Sequence, residues 1–457
     1  MIVLKAAGTC FHDDLLRYRR SWGLWLILIV TPIGARFLVD GSAVHIALGG
    51  HLLEMSSGAI GVTIGVVVSA MLLPVGFLYL RSNVTRSRPW QAEDVTPAPR
   101  AAMVLGHFFA DCVVLLAALA IATVAGWVLA WRVGQGPIDV MQLTVATWLI
   151  ACPTLICLVA FRHLLNALPA TRGALGDVLA FVCWVAVLAM PATVGDRLSS
   201  FAVNMRDPAG YTRPIIGNAP LRDREFALGS GPTKPPRVRL DADAGLHAEG
   251  YVASRFAWLG IALAAAGLAG LLDRPAGTRT RTDRPARNRR WLPQSRPAVA
   301  STVPAGPAGH PWLMLCAAEF RLIGRGAPYA VLAIASALLG LAPGYRHVGS
   351  PAALLLLVFA LSAQAGRSEG RNLLQLTSTT STPPSSRRAA FVAAGTAWSL
   401  LMALPGAVAS TSATPLLLAG TTGAAAALVA AAVAMFARSA FAPRMLLLIA
   451  WYVYFAS

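Results

Sequence analysis

The sequence predicts an all-α polytopic membrane protein of about 11 transmembrane helices in two repeated halves, six spans then five, with the N-terminus cytoplasmic. Three observations carry that prediction. Apolar types make up 56% of the 457 residues and charged types only 13%, against roughly 25% in soluble domains, so little of the chain is suited to face water. Apolar runs recur along the whole chain, many reaching the ~20 residues that cross a hydrocarbon core. Arg gathers in alternate interruptions between those runs, as positive-inside loops do.

Taken in order, the first six spans are expected at 21–40, 58–80, 101–131, 143–163, 175–195 and 251–272. Five more are expected near 328–344, 351–366, 389–411, 415–437 and 441–456. Ahead of the first, FHDDLLRYRRSW (11–22) is polar and amphipathic rather than an apolar signal core, so the first span is expected to be retained. The Arg-bearing interruptions hold Arg17, Arg19 and Arg20, then Arg81, Arg86, Arg88 and Arg100, then Arg162 and Arg172. The series continues with the linker after span six, with Arg367, Arg371, Arg387 and Arg388, and with Arg438 and Arg444. An N-terminus inside puts all of them on the cytoplasmic side, while the opposite short loops 41–57, 132–142, 345–350 and 412–414 are nearly free of Arg.

Two loops are long. Residues 196–250 fall outside and are expected to form a small cap or an irregular loop, their Arg tolerated because long loops translocate largely regardless of charge. The cytoplasmic linker, rich in Arg and Pro, reads as a flexible segment near anionic headgroups. The expected organisation is a first half at 1–272, the linker at 273–311 and a second half at 312–457.

Several function classes are excluded on composition and motif. The net charge is +18, but its Arg residues flank apolar spans instead of forming the basic face of a soluble module, so no nucleic-acid partner is expected; membrane lipids are. The six cysteines form no CxxC pair and four lie in apolar runs, which suits small core residues better than a disulfide or zinc framework. No GxxxxGK[ST] or HExxH is present and the His residues lack ligand spacing. The chain therefore carries no ATPase motif of its own, no metal site and no catalytic residue, and is not expected to be an enzyme.

The halves resemble each other. FHDDLLRYRRSW (11–22) and AAEFRLIGRGAP (317–328) each place an acid a few residues ahead of a Leu/Arg pattern, as interfacial helices do. Two spans later come VTPAPRAAMVLG (95–106) and STPPSSRRAAFVAAG (381–395), aligning Arg100-Ala101-Ala102 with Arg388-Ala389-Ala390, and Gly106 with Gly395 after a one-residue slip. This order of interfacial helix, two spans, a Thr-Pro-x-x-Arg loop and a long third span resembles the membrane permease subunit of type-2 ABC exporters, in the fused two-half form of antibiotic exporters. The five spans of the second half depart from the six usual there. The resemblance implies a permease in the bacterial inner membrane, with no cofactor bound directly. ATP and Mg would be held by a partner ABC-type ATPase, a dimer of ATPase chains.

In that family the loop between spans two and three docks on the ATPase. Carried over residue by residue, Trp90 would fill an apolar cleft, with Gln91 beside it, and Glu93 and Asp94 would meet a basic rim. Thr96 is a candidate cap for the next helix, and Pro97 and Pro99 fix the turn into it. The second-half loop offers Glu369, Leu373 and Leu374 instead, an unequal surface. Within span three, Asp111 and, one turn earlier, His107 are intramembrane polar candidates, because an ionisable group left in lipid costs at least ~2.5 kcal/mol. Asp111 reads as a proton relay, as a hydrogen-bonding tie to a neighbouring helix, or as a residue still in the interface. Asp177 suits the N-terminus of span five. Pro74, Pro153, Pro191 and Pro405 interrupt spans, and the Ala/Gly-rich run at 421–437 permits close helix packing. Apolar walls with Met, Phe and Trp suggest an amphipathic or lipidic cargo. The alternatives are a proton-coupled secondary transporter working through Asp111, and a non-transporting scaffold or enzyme built around 196–250.

Overall fold

The computed structural model describes residues 2–21, 24–25, 27–29, 31–32, 45–87, 98–168, 171, 174–190, 194, 197–217, 219, 226–229, 234–273, 310–325, 327–341, 349–367, 383–437 and 441–456. Most of them are helical. The chain divides into two compact units, Met1–Asn83 with Pro89–Arg274 and Val84–Arg88 with Pro275–Ser457.

The first unit opens with α1 (Ile2–Arg19), which begins well before the polar stretch at 11–22. Four helices follow at expected spans: α2 (Ser57–Ser87), α3 (Arg100–Val133), α4 (Val140–Ala167) and α5 (Ala174–Ala189). Asp139 caps α4 by accepting from the Gln142 N–H at 2.9 Å. The N-cap of α3 is Pro99, which makes no side-chain bond. The fixed φ of proline suits a helix entrance where N–H groups have no carbonyl to meet.

α2 bends by 44° between Ser57–Ala70 and Leu73–Arg81, and the cause is Pro74. Proline has no N–H to give the carbonyl four residues back, which is that of Ala70. Trp184 of α5 supplies the missing donor, its indole N–H reaching the Ala70 carbonyl at 2.7 Å.

The loop between α5 and the next span folds into a cap. It contains the short helices α6 (Phe201–Asn204), α7 (Thr212–Ile216) and α8 (Ala242–Leu246), with strands β3 (Phe226–Gly229) and β4 (Lys234–Val238). These strands join β1 (His45–Leu48) and β2 (His51–Leu53) in one sheet of order β3-β1-β2-β4. The all-α expectation is thereby corrected. Gly49 and Gly50, with φ of 57° and 82°, make the two-residue turn of an antiparallel hairpin in which Leu48 faces His51. β3 pairs antiparallel with β1 and β4 parallel with β2. Ile46, Leu48 and Leu53 of the sheet share a buried cluster with Val62, Val66, Ile150, Tyr211, Ile215 and Leu246. α9 (Tyr251–Leu272) coincides with the sixth expected span, and packs with α3 and α4.

Arg255, buried on α9, stitches the cap to that helix. Its guanidinium donates to the backbone carbonyls of Asp207 at 2.5 Å, Pro208 at 3.2 Å and Asn204 at 3.4 Å. Asp207 in turn accepts from the N–H groups of Gly210 at 2.8 Å and Thr212 at 2.9 Å. The loop's backbone, taken out of water, has its polar groups met by these side chains.

The second unit runs α10 (Pro311–Ile323), α11 (Ala327–Leu339), α12 (Gly349–Gln364), α13 (Pro384–Ser410), α14 (Thr414–Ala437) and α15 (Phe441–Ala456). Its core is lined by Leu357, Leu361, Phe391, Met402, Ala427, Ala430 and Leu447. Small residues bring α13 and α14 together, where Ser399 donates to the Ala419 carbonyl at 2.8 Å.

Among the described residues five helices, α3, α4, α9, α13 and α14, are long and apolar enough to cross a membrane, or six when the bent α2 is one span. The shorter apolar helices lie in α5, α11, α12 and α15. Of the first expected span, residues 21, 24–25, 27–29 and 31–32 are described, and all but Ser21 are helical.

Candidate functional site

Asp111 lies 1% exposed inside α3, and both of its oxygens are engaged. Oδ1 accepts from the hydroxyl of Tyr18 on α1. Oδ2 accepts from Nη1 of Arg162 on α4 and from Nε2 of His163 at 3.0 Å. Facing a carboxylate, Nε2 of His163 is the nitrogen that carries the proton. A second contact lies one turn nearer the start of α3: His107 Nδ1 is 2.5 Å from Asp14 Oδ2, and Asp14 also meets Arg17 at 3.3 Å.

Each group gets there for a local reason. Residues 107 and 111 share a face of α3 because they are four apart, and Asp14 and Tyr18 do the same on α1. Gly106 lets the two helices touch: a Cβ there would lie 2.4 Å from the Ala7 carbonyl oxygen and 2.9 Å from Cys10 Cβ. Tyr18 also packs on Tyr79 of α2, ring centroids 5.9 Å apart, and Tyr79 donates to Ser21 at 3.2 Å. Arg162 sits on α4 and is 1% exposed, which corrects its reading as a loop residue, since α4 continues to Ala167.

Arg81 requires the same correction, because α2 runs on to Ser87. It is buried, pairs through Nε with Asp177 at 2.9 Å and donates to the Thr171 carbonyl at 3.0 Å. Asp177 does lie in the first turn of α5, and so serves both the helix end and the ion pair. The second unit has its own tie between acid and cation. Arg367 Nη2 donates to both oxygens of Glu319 on α10, at 2.6 and 2.7 Å. Next to it Phe320 stacks on Trp398 of α13 at 4.5 Å and 7°, and the Trp398 N–H bonds the Phe320 carbonyl at 2.9 Å.

Of the residues singled out in the sequence, the structure brings His107 and Asp111 together with Asp14, Tyr18, Arg162 and His163. Trp90, Gln91, Glu93, Asp94, Thr96, Glu369, Leu373 and Leu374 lie outside the described residues. Arg162, His163, Arg81 and Tyr18 were missed as site residues. The available signal was an Arg-His pair inside the apolar run ICLVAFRHLLNAL, where a charge needs a partner. Among the described residues, no group of three or more His, Cys, Asp or Glu is arranged to hold a metal ion.

The chain matches no protein-family model, no curated protein and no solved structure.

The chemistry available at the cluster is that of a fixed ion pair. The carboxylate has donors on both oxygens, and pulling away one partner of a buried pair leaves an uncompensated charge at a cost of ~3–5 kcal/mol. Such an arrangement fastens helices together.

Proposed function

We propose that the chain is the permease subunit of an ABC exporter, moving an amphipathic or lipidic substrate out of the cytoplasm on ATP hydrolysed by a separate subunit. One observation carries the reading: the same packing order occurs in both units. A helix ahead of the first span lies on the long third helix, α1 on α3 and α10 on α13. That third helix then packs on the helix after it, α3 with α4 and α13 with α14. α3 begins at Pro99-Arg100-Ala101-Ala102, and α13 carries Arg387-Arg388-Ala389-Ala390 in its first two turns.

In this reading the chain has eleven spans, lies in the bacterial inner membrane and keeps its N-terminus, its linker and both inter-span loops in the cytoplasm. The partner ATPase closes on nucleotide and presses on Trp90, Glu93 and Asp94 in one loop and on Glu369, Leu373 and Leu374 in the other. The push enters α3 and α13 and swings the units between inward- and outward-facing states. The chain binds no nucleotide and performs no bond chemistry. The engagement of Asp111 with Arg162 weighs against the proton-carrier alternative, since a carrier has to shed that pair in every cycle.

Purification in mild detergent tests the reading. A nucleotide-binding subunit should copurify with the chain, and Trp90→Ala should release it. Recovery of the chain alone, together with the absence of ATP-dependent uptake of any lipophilic dye into inverted vesicles, would rule the exporter out.

A further inference from the structure

We propose that Asp111 is a positioning residue that fixes α1 to α3 and α4, so that the three helices travel as one body. The proposal rests on the exporter reading, in which a surface helix and the span beside it must either move together or part during each cycle.

The attachment has three contact points along α1. Ala7 and Cys10 lie against Gly106 with no space for a Cβ, Asp14 meets His107, and Tyr18 reaches Asp111. The last differs from the others because Asp111 serves a different helix with each oxygen. Oδ1 holds α1 through Tyr18, and Oδ2 holds α4 through Arg162 and His163. Lifting α1 removes the donor to Oδ1 inside a buried site, while moving α4 pulls Arg162 and His163 away from Oδ2. Each separation is opposed by the same carboxylate, and a network of this kind is worth more than its pairs taken singly. α2 and α5 have their own tie, Arg81 with Asp177, supported by the Trp184 bond to Ala70. The Asp111 cluster therefore groups α1 with α3 and α4, and the Arg81–Asp177 pair groups α2 with α5.

The test uses the full chain in lipid nanodiscs with its six cysteines replaced by serine. Spin labels go on Thr9→Cys of α1 and Val113→Cys of α3, both exposed positions. Pulsed electron resonance reads the distance in the chain alone and in its ATPase complex trapped with ATP and vanadate. The unmutated protein should give one narrow distance that does not change on trapping. Asp111→Asn should split the distribution and add a shift on trapping, which a merely structural defect would not produce. Tyr18→Phe removes the donor to Oδ1, and should broaden the distance even where Asp111→Asn fails to fold.

A distance that shifts on trapping in the unmutated protein overturns the proposal. So does a single narrow distance retained by Tyr18→Phe and by any folded Asp111→Asn. Failure to recover an ATPase complex is a failure of the exporter reading, and the label distances in the chain alone still judge the attachment of α1.

Discussion

Replacing Trp184 with Phe tests whether the bend in α2 is held by a bond that proline made necessary. The Ala70 carbonyl is buried, lacks its helical partner because residue 74 is proline, and takes the indole N–H at 2.7 Å. Removing that donor forfeits a net bond of ~0.5–1.5 kcal/mol, and an unmet buried carbonyl costs ~1–3 kcal/mol. Interhelical bonds in membrane proteins average ~0.6 and reach ~1.7 kcal/mol, so a loss of about 1.5 kcal/mol is expected.

In a Pro74→Ala background the alanine N–H can meet the Ala70 carbonyl within the helix. Trp184→Phe should then cost only its change in packing. A double-mutant cycle, read by reversible unfolding in bicelles, should return a coupling of about 1 kcal/mol. An equal cost for Trp184→Phe in both backgrounds would refute the argument that Pro74 creates the need for Trp184.

Three further outcomes are expected. Gly106→Ala places a Cβ 2.4 Å from the Ala7 oxygen, so it should destabilise the α1–α3 contact by about 1–3 kcal/mol and speed proteolytic release of the N-terminal helix. Arg255→Met removes the donor to three loop carbonyls and should cost at least ~2 kcal/mol, seen as cleavage between residues 197 and 217 by limited proteolysis. In the cap, burial and then the Asp207 carboxylate push the Tyr211 hydroxyl upward from its ordinary value. Its folded-state pKa is raised, so this stabilisation is complete below pH ~10 and is lost as pH climbs above it. Protease nicking of the cap should rise above that pH, and less so in Tyr211→Phe.

The helices were legible because lipid demands a continuous apolar run, and that demand is written locally. The expected span at 251–272 coincides with α9, and the runs at 415–437 and 441–456 fall within a residue of α14 and α15. The sheet was not legible. Its strands are three to five residues long, too short for alternation to show, and β1 finds its partner β3 far along the chain. Asp111 stood out as an ionisable residue among apolar ones, but its partners lie 51, 52 and 93 residues away, beyond any spacing rule. Arg81 and Arg162 were misplaced for one reason: Arg commonly marks the end of a span, and these helices run past it to pair the charge inside.

The four-stranded sheet also bears on the order in which the protein is made. β1 and β2 precede α2, whereas β3 and β4 follow α7, so the sheet encloses four long helices and the short α6 and α7 between its two contributions. A two-stranded ribbon is marginal alone, and closing so long a loop carries an entropic cost that only the finished helices offset. The Gly49-Gly50 hairpin is therefore synthesised early and completed late, waiting for α2 to α5 to be seated before its edges are paired. A chain stopped after residue 190 should leave residues 45–53 open to protease, and the full chain should protect them. The cap thus serves as a seal that forms only once the helices beneath it are in place.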